Sequence, residues 1–304
     1  MRISTVLPLV VLASATLLGR NESAVRCPII FDGRVLTNLT LAALDTTTSP
    51  YSPRYVKGEN LTWSSIILFP PTTTPRSRFD TRSIHKPFEV TINDSSIFRA
   101  GSSGLQVGFR RAGLLLADDA NPVGSDAADK GVVTFHWSVR QDEHKPLNLS
   151  HEYMNVWHEK AEYSGNQFTF VGGVVLKQDG GGGGNGADTP EERNSWKVQD
   201  ANNTVVFRTP ILSTGWQNFA IGLDYANSTM QVLYSTNGAP LKAVTAAVPN
   251  DNSGGGQLQL GIAKKPTETE SVVYDGYQES IVGSEGQIYG GVFVEDSSGG
   301  CVSV

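Results

Sequence analysis

Residues 216 to 236, WQNFAIGLDYANSTMQVLYST, decide the fold class. Two runs rich in Phe, Ile, Leu, Val and Tyr, 216–226 and 229–236, meet at the turn-forming residues ANST. Aromatic and β-branched residues favour strands, while Asn and Ser favour tight turns. The stretch therefore predicts two β-strands joined by a short turn.

The same pattern of apolar runs separated by Gly-rich turns recurs along the chain, and no segment has the periodicity of a long amphipathic helix. Many strands without helical crossovers favour antiparallel sheets. We therefore expect an all-β protein with an antiparallel β-jelly roll or concanavalin-like sandwich. Further strands are predicted at 87–92, 131–140, 166–177, 203–211, 256–265 and 286–296.

The amino terminus is typical of a secretory signal. A basic start, Met1-Arg2, precedes the apolar run VLPLVVLASATLLG, which is too short to span a bilayer. We expect a signal peptide over residues 1–24, cleaved somewhere in 15–24, and one domain over 25–304. The Gly-rich segment 179–194 is interpreted as a flexible hairpin insertion in that domain.

Cysteines and glycosylation sequons agree with secretion. The two cysteines, Cys27 and Cys301, lie near the ends of the mature chain and are expected to pair in an oxidising compartment. In the chain-entropy model such a closure is worth roughly 5 kcal/mol. Candidate glycosylated asparagines in Asn-x-Ser/Thr sequons are Asn38, Asn60, Asn93, Asn148, Asn202 and Asn227.

Charge and composition limit the partners. A net charge of -6 and a pI near 5.4 argue against nucleic acid and anionic membranes. No metal motif is present, since His151 and His158 do not form His-Glu-x-x-His. We expect a monomer without a cofactor. The loop NDNSGGG (250–256) suits a turn more than a structural Ca²⁺ site, although Ca²⁺ stays an alternative.

The run LNLSHEYMNVWHEK (147–160) has the densest cluster of residues that could act in catalysis or binding. Strict alternation on a strand would put Glu152, Met154, Val156 and His158 on one side and Trp157 and Glu159 on the other. In the run 131–140, His136, Ser138 and Arg140 alternate in the same way with Phe135 and Trp137. Such faces are typical of a sugar-binding cleft, and a solvated outer face is an equally good interpretation.

Longer stretches resemble the fungal glycoside hydrolase family 131, whose members are secreted β-glucanases with a jelly-roll fold. The resemblance covers nearly the whole mature chain. It rests on CPIIFDGRV (27–35), TSPYSPRYVKGENLTWSSIILFP (48–70), KPFEVTINDSSIF (86–98), GFRRA (108–112), PLNLSHEYMNVWHEK (146–160), GAPLKAV (238–244), NDNSGGGQLQLGIAKKPT (250–267) and the region 276–296.

The resemblance implies a pair of catalytic glutamates, and Glu152 matches one of them. The other would follow the Arg-Arg stretch, where this chain has Gly113. Gln217 stands where the family pattern is expected to carry His. Asp118, Asp119, Glu159 and Glu279 are the nearby acids that could replace the missing carboxylate, and such a replacement is not favoured.

The remaining binding residues are assigned from strand faces. Candidate substrate-binding residues are Arg111, His136, Arg140, His158 and Gln278, whereas Lys264 and Lys265 are interpreted as solvated charge. These assignments place a sugar cleft around Glu152.

Three functions remain open at this point. The first is a β-glucanase acting on β-1,3/β-1,4-linked glucans or on cello- or laminari-oligosaccharides, impaired by Gly113. The second is a lectin-like family member that binds glucan without cleaving it. The third, a jelly-roll polysaccharide lyase, is disfavoured by the acidic pI and by the resemblance.

Overall fold

The computed structural model describes residues 24–175, 189–269 and 271–304. Those residues form two stacked antiparallel sheets. Among them, α-helix is limited to the single turns α1 (Trp63–Ile66) and α2 (Pro190–Arg193), and 3₁₀ turns occur at Ala42–Asp45, Gly101–Ser103 and Ala127–Asp129. The all-β antiparallel sandwich expected from the sequence is confirmed.

The larger layer is a nine-stranded sheet with the strand order β12-β11-β10-β5-β15-β3-β2, in which β1 also pairs with β15 and β13 with β11. Its strands are β1 (Ile29–Asp32), β2 (Ile67–Leu68), β3 (Phe88–Ile92), β5 (Val132–Gln141), β10 (Gln217–Asp224), β11 (Thr229–Thr236), β12 (Lys242–Ala243), β13 (Val248–Pro249) and β15 (Glu285–Asp296). The stretch quoted first forms the hairpin β10–β11, paired without a break from Gln217–Thr236 to Asp224–Thr229.

The second layer is a six-stranded sheet with the order β4-β14-β6-β7-β8-β9. Its strands are β4 (Arg110–Leu115), β6 (Glu152–Glu159), β7 (Asn166–Gly173), β8 (Ser195–Gln199), β9 (Val205–Pro210) and β14 (Gln257–Lys264). The segment 179–194 lies in sequence between β7 and β8, which pair antiparallel. Its end, however, is the helical turn α2, capped by the Thr189 side chain, which accepts a hydrogen bond from the Glu192 amide. The rest of that segment, 179–188, lies outside the described residues, as do residues 1–23, where a signal peptide is predicted.

The main core fills the space between the sheets. Aromatic rings from both layers stack there, for example Trp137 of β5 on Phe168 of β7 with ring centroids 6.0 Å apart. Trp63 and Trp196 are fully buried in the same core. Burial of this apolar surface is the main term that holds the two layers together.

A second, smaller core covers the outer side of the nine-stranded sheet at one end. Phe79, Leu241 and Phe293 pack there with Val25 and Val302 from the two termini. The expected disulfide is present: Cys27 and Cys301 are bonded, with α-carbons 5.8 Å apart. The bond therefore fastens both ends of the domain over this second core.

Candidate functional site

A β-bulge in β6 decides which side chains share a face with Glu152. The register of β6 against β7 shifts between Met154 and Val156. Asn155 and Val156 consequently both face inward: Val156 is in the main core, and the Asn155 amide donates to Tyr289 Oη at 3.3 Å. Strict alternation is therefore wrong here, because an extra residue in one strand reverses the faces beyond it.

The outer face of the six-stranded sheet, meaning the side turned away from the main core, thus carries Glu152, Met154, Trp157 and Glu159. Tyr153 and Val156 belong to the main core, whereas Trp157 does not. Trp157 instead lies under the guanidinium of Arg111, with Cζ 5.7 Å from a ring centroid. This face is the candidate functional site.

Glu152 is held by Lys265. The Lys265 ammonium donates to Glu152 Oε1 at 2.6 Å, and its backbone amide donates to the Glu152 carbonyl at 2.8 Å. Only 2% of Glu152 and 8% of Lys265 are exposed. An ammonium donor so close suits an ionised carboxylate, and burial makes the pairing stronger than on an open surface.

The two lysines interpreted from the sequence as solvated charge are in fact buried, which corrects that expectation. Lys264 points to the opposite side of the strand end and donates to Glu285 Oε1 at 2.8 Å, beside Tyr153, whose hydroxyl donates to Glu285 Oε2. Burial, followed by the nearby charge of Glu285, raises the pKa of Tyr153 far above its usual value. Both lysines are buried because each has a carboxylate partner.

Gly113 lies on β4, on the outer face. A β-carbon added at Gly113 would point to the outer face, 2.9 Å from Gln259 Oε1 and 3.3 Å from the Trp157 ring. The flexible end of Gln259 would have to move to admit that β-carbon, and the Trp157 ring would have to give by a few tenths of an ångström. A side chain at position 113 would therefore project onto the face that carries Glu152.

A series of hydrogen-bonded polar side chains lies beside position 113. Arg111 donates to Gln259 Oε1 at 3.2 Å, and the Gln259 amide donates to Glu159 Oε2. Burial raises the pKa of Glu159, opposed by the positive charge of Arg111. Burial in turn lowers the pKa of Arg111. Arg111, predicted from the sequence to bind substrate, is thus on the candidate face. Sequence reasoning missed Gln259, although the alternation QLQL at 257–260 could have placed it opposite the core leucines.

His136 and Arg140, also predicted to bind substrate, belong to the other layer. They lie on β5 of the nine-stranded sheet, on its outer side, so the sandwich separates them from Glu152. His136 is fully buried against Phe79 and Phe293 and pairs with Glu295 Oε1 at 2.9 Å. Burial lowers its pKa. Strand β5 precedes β6 in the sequence, but the two strands do not lie side by side in the structure.

His158 does not reach the outer face either, and Gln278 is engaged at the strand ends. His158 is buried in the main core with its ring centroid 5.2 Å from that of Phe135. Gln278 fastens its loop to the strand ends by donating to the carbonyls of Gly108 and Lys264 at 2.8 and 3.1 Å. Gln217 faces the core, where it accepts from Trp196 Nε1 at 3.1 Å. Gln217, which stands where the family pattern is expected to carry His, is therefore buried between the layers and not on the outer face.

Two of the acids considered as replacements for the missing glutamate, Asp119 and Glu159, are not beside Glu152. Asp119 accepts from the Leu258 amide at 2.8 Å, at the end of β14 opposite to the one that pairs with Tyr153. Burial raises the pKa of Asp119 well above its usual value. Glu279 accepts a hydrogen bond from the Asn148 side chain. Glu159 shares the face with Glu152, but at the far end of the same strand.

The side chains of the loop 250–256 are engaged within the protein. Asn250 donates to the Gln167 carbonyl at 2.9 Å, and Asn252 donates to the carbonyls of Asp224 and Thr229. Asp251 pairs with Lys160. Within the described ranges, no group of three or more His, Cys, Asp or Glu residues is placed to hold a metal ion. Nor does any described helix have the length and apolarity to cross a membrane.

Comparisons with known proteins decide the family. The family model described as the glycoside hydrolase 131 catalytic N-terminal domain matches residues 29–300. The chain belongs to glycoside hydrolase family 131.

Solved structures agree on the fold. A family 131 β-glucanase catalytic domain from Podospora anserina superposes with a TM-score of 0.63 at 18% identity, covering 88% of this chain and 96% of that one. The catalytic domain of a family 131 protein from Coprinopsis cinerea gives a TM-score of 0.62 at 17% identity, covering 88% and 94%. At these identities the likeness shows the shared fold. No curated protein sequence matches the chain.

Proposed function

We propose that the protein is a secreted β-glucan hydrolase of reduced activity that binds its substrate along the outer face of the six-stranded sheet. The observation that carries the proposal is Glu152, a carboxylate on that face with the Lys265 ammonium 2.6 Å away. In this proposal Glu152 is the ionised member of the catalytic pair. It serves as the base that activates water or as the nucleophile at the anomeric carbon.

The acid of the pair is what the chain lacks. Hydrolysis needs a protonated group to donate to the leaving oxygen, and Gly113 has no side chain to do so. Proton transfer of this kind contributes a factor of roughly 10² to 10⁴ in rate. We therefore propose an activity lowered by that order.

The sheet register supports position 113 as the natural place for the acid. Gly113 pairs with Gly261 of β14, and on the other side of β14 Ala263 pairs with Met154. Glu152 thus lies two strand spacings across and about four residues along, which puts the α-carbons roughly 16 Å apart. Two glutamate side chains leaning towards each other would bring their carboxyl groups into the ~5–9.5 Å range used by glycosidases.

By contrast, Glu159 is a poor partner for Glu152. The two residues stand at opposite ends of β6. At about 3.3 Å per residue the strand separates them by roughly 20 Å, well beyond the range of a catalytic pair. Glu159, Arg111 and Gln259 are proposed instead to bind sugar hydroxyls further along the face.

The proposal extends to the substrate, the oligomeric state and the location of the protein. The substrate is a β-1,3- or β-1,4-linked glucan of plant or fungal cell walls, or a cello- or laminari-oligosaccharide, and the protein works as a monomer without a cofactor. Secretion is supported by the disulfide between Cys27 and Cys301. Of the sequon asparagines, Asn38, Asn60, Asn202 and Asn227 are exposed, so glycans could be accommodated there.

A second candidate is a glucan-binding protein that does not cleave. Gly113 favours it directly, since an acid-free face can still bind sugar. The buried ion pair favours it as well, because Lys265 occupies the carboxylate that would otherwise attack.

The test measures reducing-sugar release from mixed-linkage β-glucan and from laminarin. The unmodified protein is compared with Glu152→Gln and Gly113→Glu, with the exposed Glu162→Gln as a matched control. We expect weak release by the unmodified protein, none by Glu152→Gln, and a rise of roughly 10²-fold in Gly113→Glu. Thermal midpoints recorded in parallel identify any variant that fails to fold.

Each alternative result has a definite meaning. An inert protein that gains activity only as Gly113→Glu would replace the hydrolase proposal with the binding one. Full activity retained by Glu152→Gln would show that another carboxylate performs the reaction.

A further inference from the structure

A bulge in the chain lies along the free edge of β4, next to position 113. β4 is the last strand of its sheet, and on the side away from β14 the Ser52 amide donates to the Leu115 carbonyl at 2.8 Å. Two residues back along β4, the Gly113 amide donates to the Val56 carbonyl at 2.7 Å. The two bonds are thus two residues apart on β4 but four apart on the other segment, so residues 53–55 must bulge away from the strand. We call residues 53–55 the edge arch.

The backbone that ends the edge arch is strained. Val56 has a φ of 54°, and among the non-glycine residues that the structure describes it is the one β-branched residue with a positive φ. A branched side chain makes this left-handed conformation costly, and such strain persists where the surrounding fold over-determines it. Val56 is only 7% exposed, so its side chain is buried directly after the arch. The fold therefore holds the arch in one conformation at a cost.

Further contacts fasten the base of the edge arch. Lys57 Nζ donates to the Pro53 carbonyl at 3.3 Å and lies 5.2 Å from a ring centroid of Trp63, which belongs to the main core. Just beyond, a β-carbon at Gly58 would collide with the Ser95 carbonyl oxygen, so the chain is packed closely there as well. The arch is consequently attached to the sandwich at both of its ends.

Tyr55 is the large apolar side chain that the edge arch leaves in solvent, and it is 52% exposed. β14 lies on one side of position 113 and the arch on the other, so Tyr55 lies beyond position 113 as seen from Glu152. Three strand spacings separate the arch from β6, or about 14 Å across the sheet. A single exposed tyrosine is ordinary on a protein surface. Here, however, the ring is carried by a fastened and strained backbone beside the proposed catalytic pair.

We propose that Tyr55 is a sugar-stacking residue of the glucan site, which holds a glucosyl unit against its ring on the far side of position 113 from Glu152. The inference rests on the proposed function, because it takes the outer face as the place where glucan binds. A tyrosine ring offers an apolar surface to the C–H groups of a pyranose, and its hydroxyl can pair with a sugar hydroxyl. A ring on a backbone that is already ordered also loses little conformational freedom when it binds.

Calorimetric titration with laminarihexaose and cellohexaose tests the role of Tyr55. The unmodified protein is compared with Tyr55→Ala and Tyr55→Phe, and with Tyr163→Ala as a matched control. Tyr163 is also an exposed tyrosine, at 73%, and it follows the end of β6 that is opposite to Glu152. We expect the affinity for at least one hexaose to fall about tenfold in Tyr55→Ala. Affinity should stay within about twofold in Tyr55→Phe, which keeps the ring, and in Tyr163→Ala.

Reducing-sugar release from mixed-linkage β-glucan, measured on the same proteins, separates this inference from the proposed function. Unchanged affinity in Tyr55→Ala, or an equal loss in Tyr163→Ala, would overturn the role of Tyr55, while hydrolysis by the unmodified protein would leave the proposed function standing. Weaker binding by Tyr55→Ala in a protein that does not hydrolyse glucan would support Tyr55 within the glucan-binding alternative. If the unmodified protein neither binds a hexaose nor releases sugar, both the proposed function and the role of Tyr55 are wrong.

Discussion

His158 illustrates how one residue type can serve an unexpected role. Both ring nitrogens are buried without hydrogen-bond partners among the described residues, between Phe135 and Phe168. Burial lowers the pKa of His158 to about 3. The imidazole therefore stays neutral in the core, where its unpaired nitrogens cost stability.

We predict that His158→Leu stabilises the protein by about 1–2 kcal/mol, because the apolar side chain removes two unsatisfied polar atoms. The thermal midpoint should rise by roughly 2–6 °C. The substitution should also flatten the acid side of the stability profile. An unfolded chain protonates His158 below about pH 6.5 while the folded chain resists down to about pH 3, so its stability contribution falls as pH falls across that window.

Thermal melts at pH 7 and pH 4, with glucan-hydrolysis assays alongside, check this prediction. Hydrolysis should be unchanged, since His158 lies in the core. A lower midpoint together with lost sugar binding would instead restore His158 to the substrate-binding residues expected from the sequence.

At the scale of single strands, β4 and β14 meet at a point where only glycine fits. A β-carbon at Gly261 would overlap the carbonyl oxygen of Ala112 on the neighbouring strand. Gly261 is the register partner of Gly113, so this close approach lies beside position 113. The close approach therefore sets the local geometry of the candidate face.

Gly261→Ala should destabilise the fold by about 2 kcal/mol or more, because the neighbouring backbone must move to admit the methyl group. Gly222→Ala is the matched control, a strand glycine whose added β-carbon would meet no atom closer than 3.8 Å. Urea unfolding of both variants measures the difference. Equal midpoints for the two variants would show that the strands can part without cost.

Strands were readily predictable, and their faces were not. β11 spans Thr229–Thr236, the range expected from its apolar pattern, and β5 and β14 differ from expectation by a residue at the ends. The bulge at Asn155 left no sequence signal, because it depends on the strands paired with β6. Pairing is a long-range property, so alternation alone assigned Trp157 to the wrong side.

At the scale of the whole molecule, closeness in sequence wrongly suggested that two strands share a sheet. β5 and β6 follow one another along the chain, yet they lie in different layers, which moved His136 and Arg140 away from Glu152. Local sequence patterns do not predict that the chain crosses from one sheet to the other between β5 and β6, whereas the family resemblance did predict the two-layer sandwich.

The disulfide also acts on the whole molecule, since Cys27 and Cys301 are separated by 274 residues. Closing a loop of this length restricts the unfolded chain, which in the entropy model is worth up to about 5 kcal/mol. The Cys27→Ser/Cys301→Ser double variant should therefore melt roughly 10 °C below the unmodified protein. It should also free the termini that pack with Phe79 and Phe293, so protease cleavage near both ends should become faster before global unfolding begins. Differential scanning calorimetry and timed proteolysis measure the two effects, and a fully reduced unmodified protein serves as the control for the serine substitutions. A midpoint within 2 °C of the unmodified protein would mean that the second core holds the termini without the covalent bond.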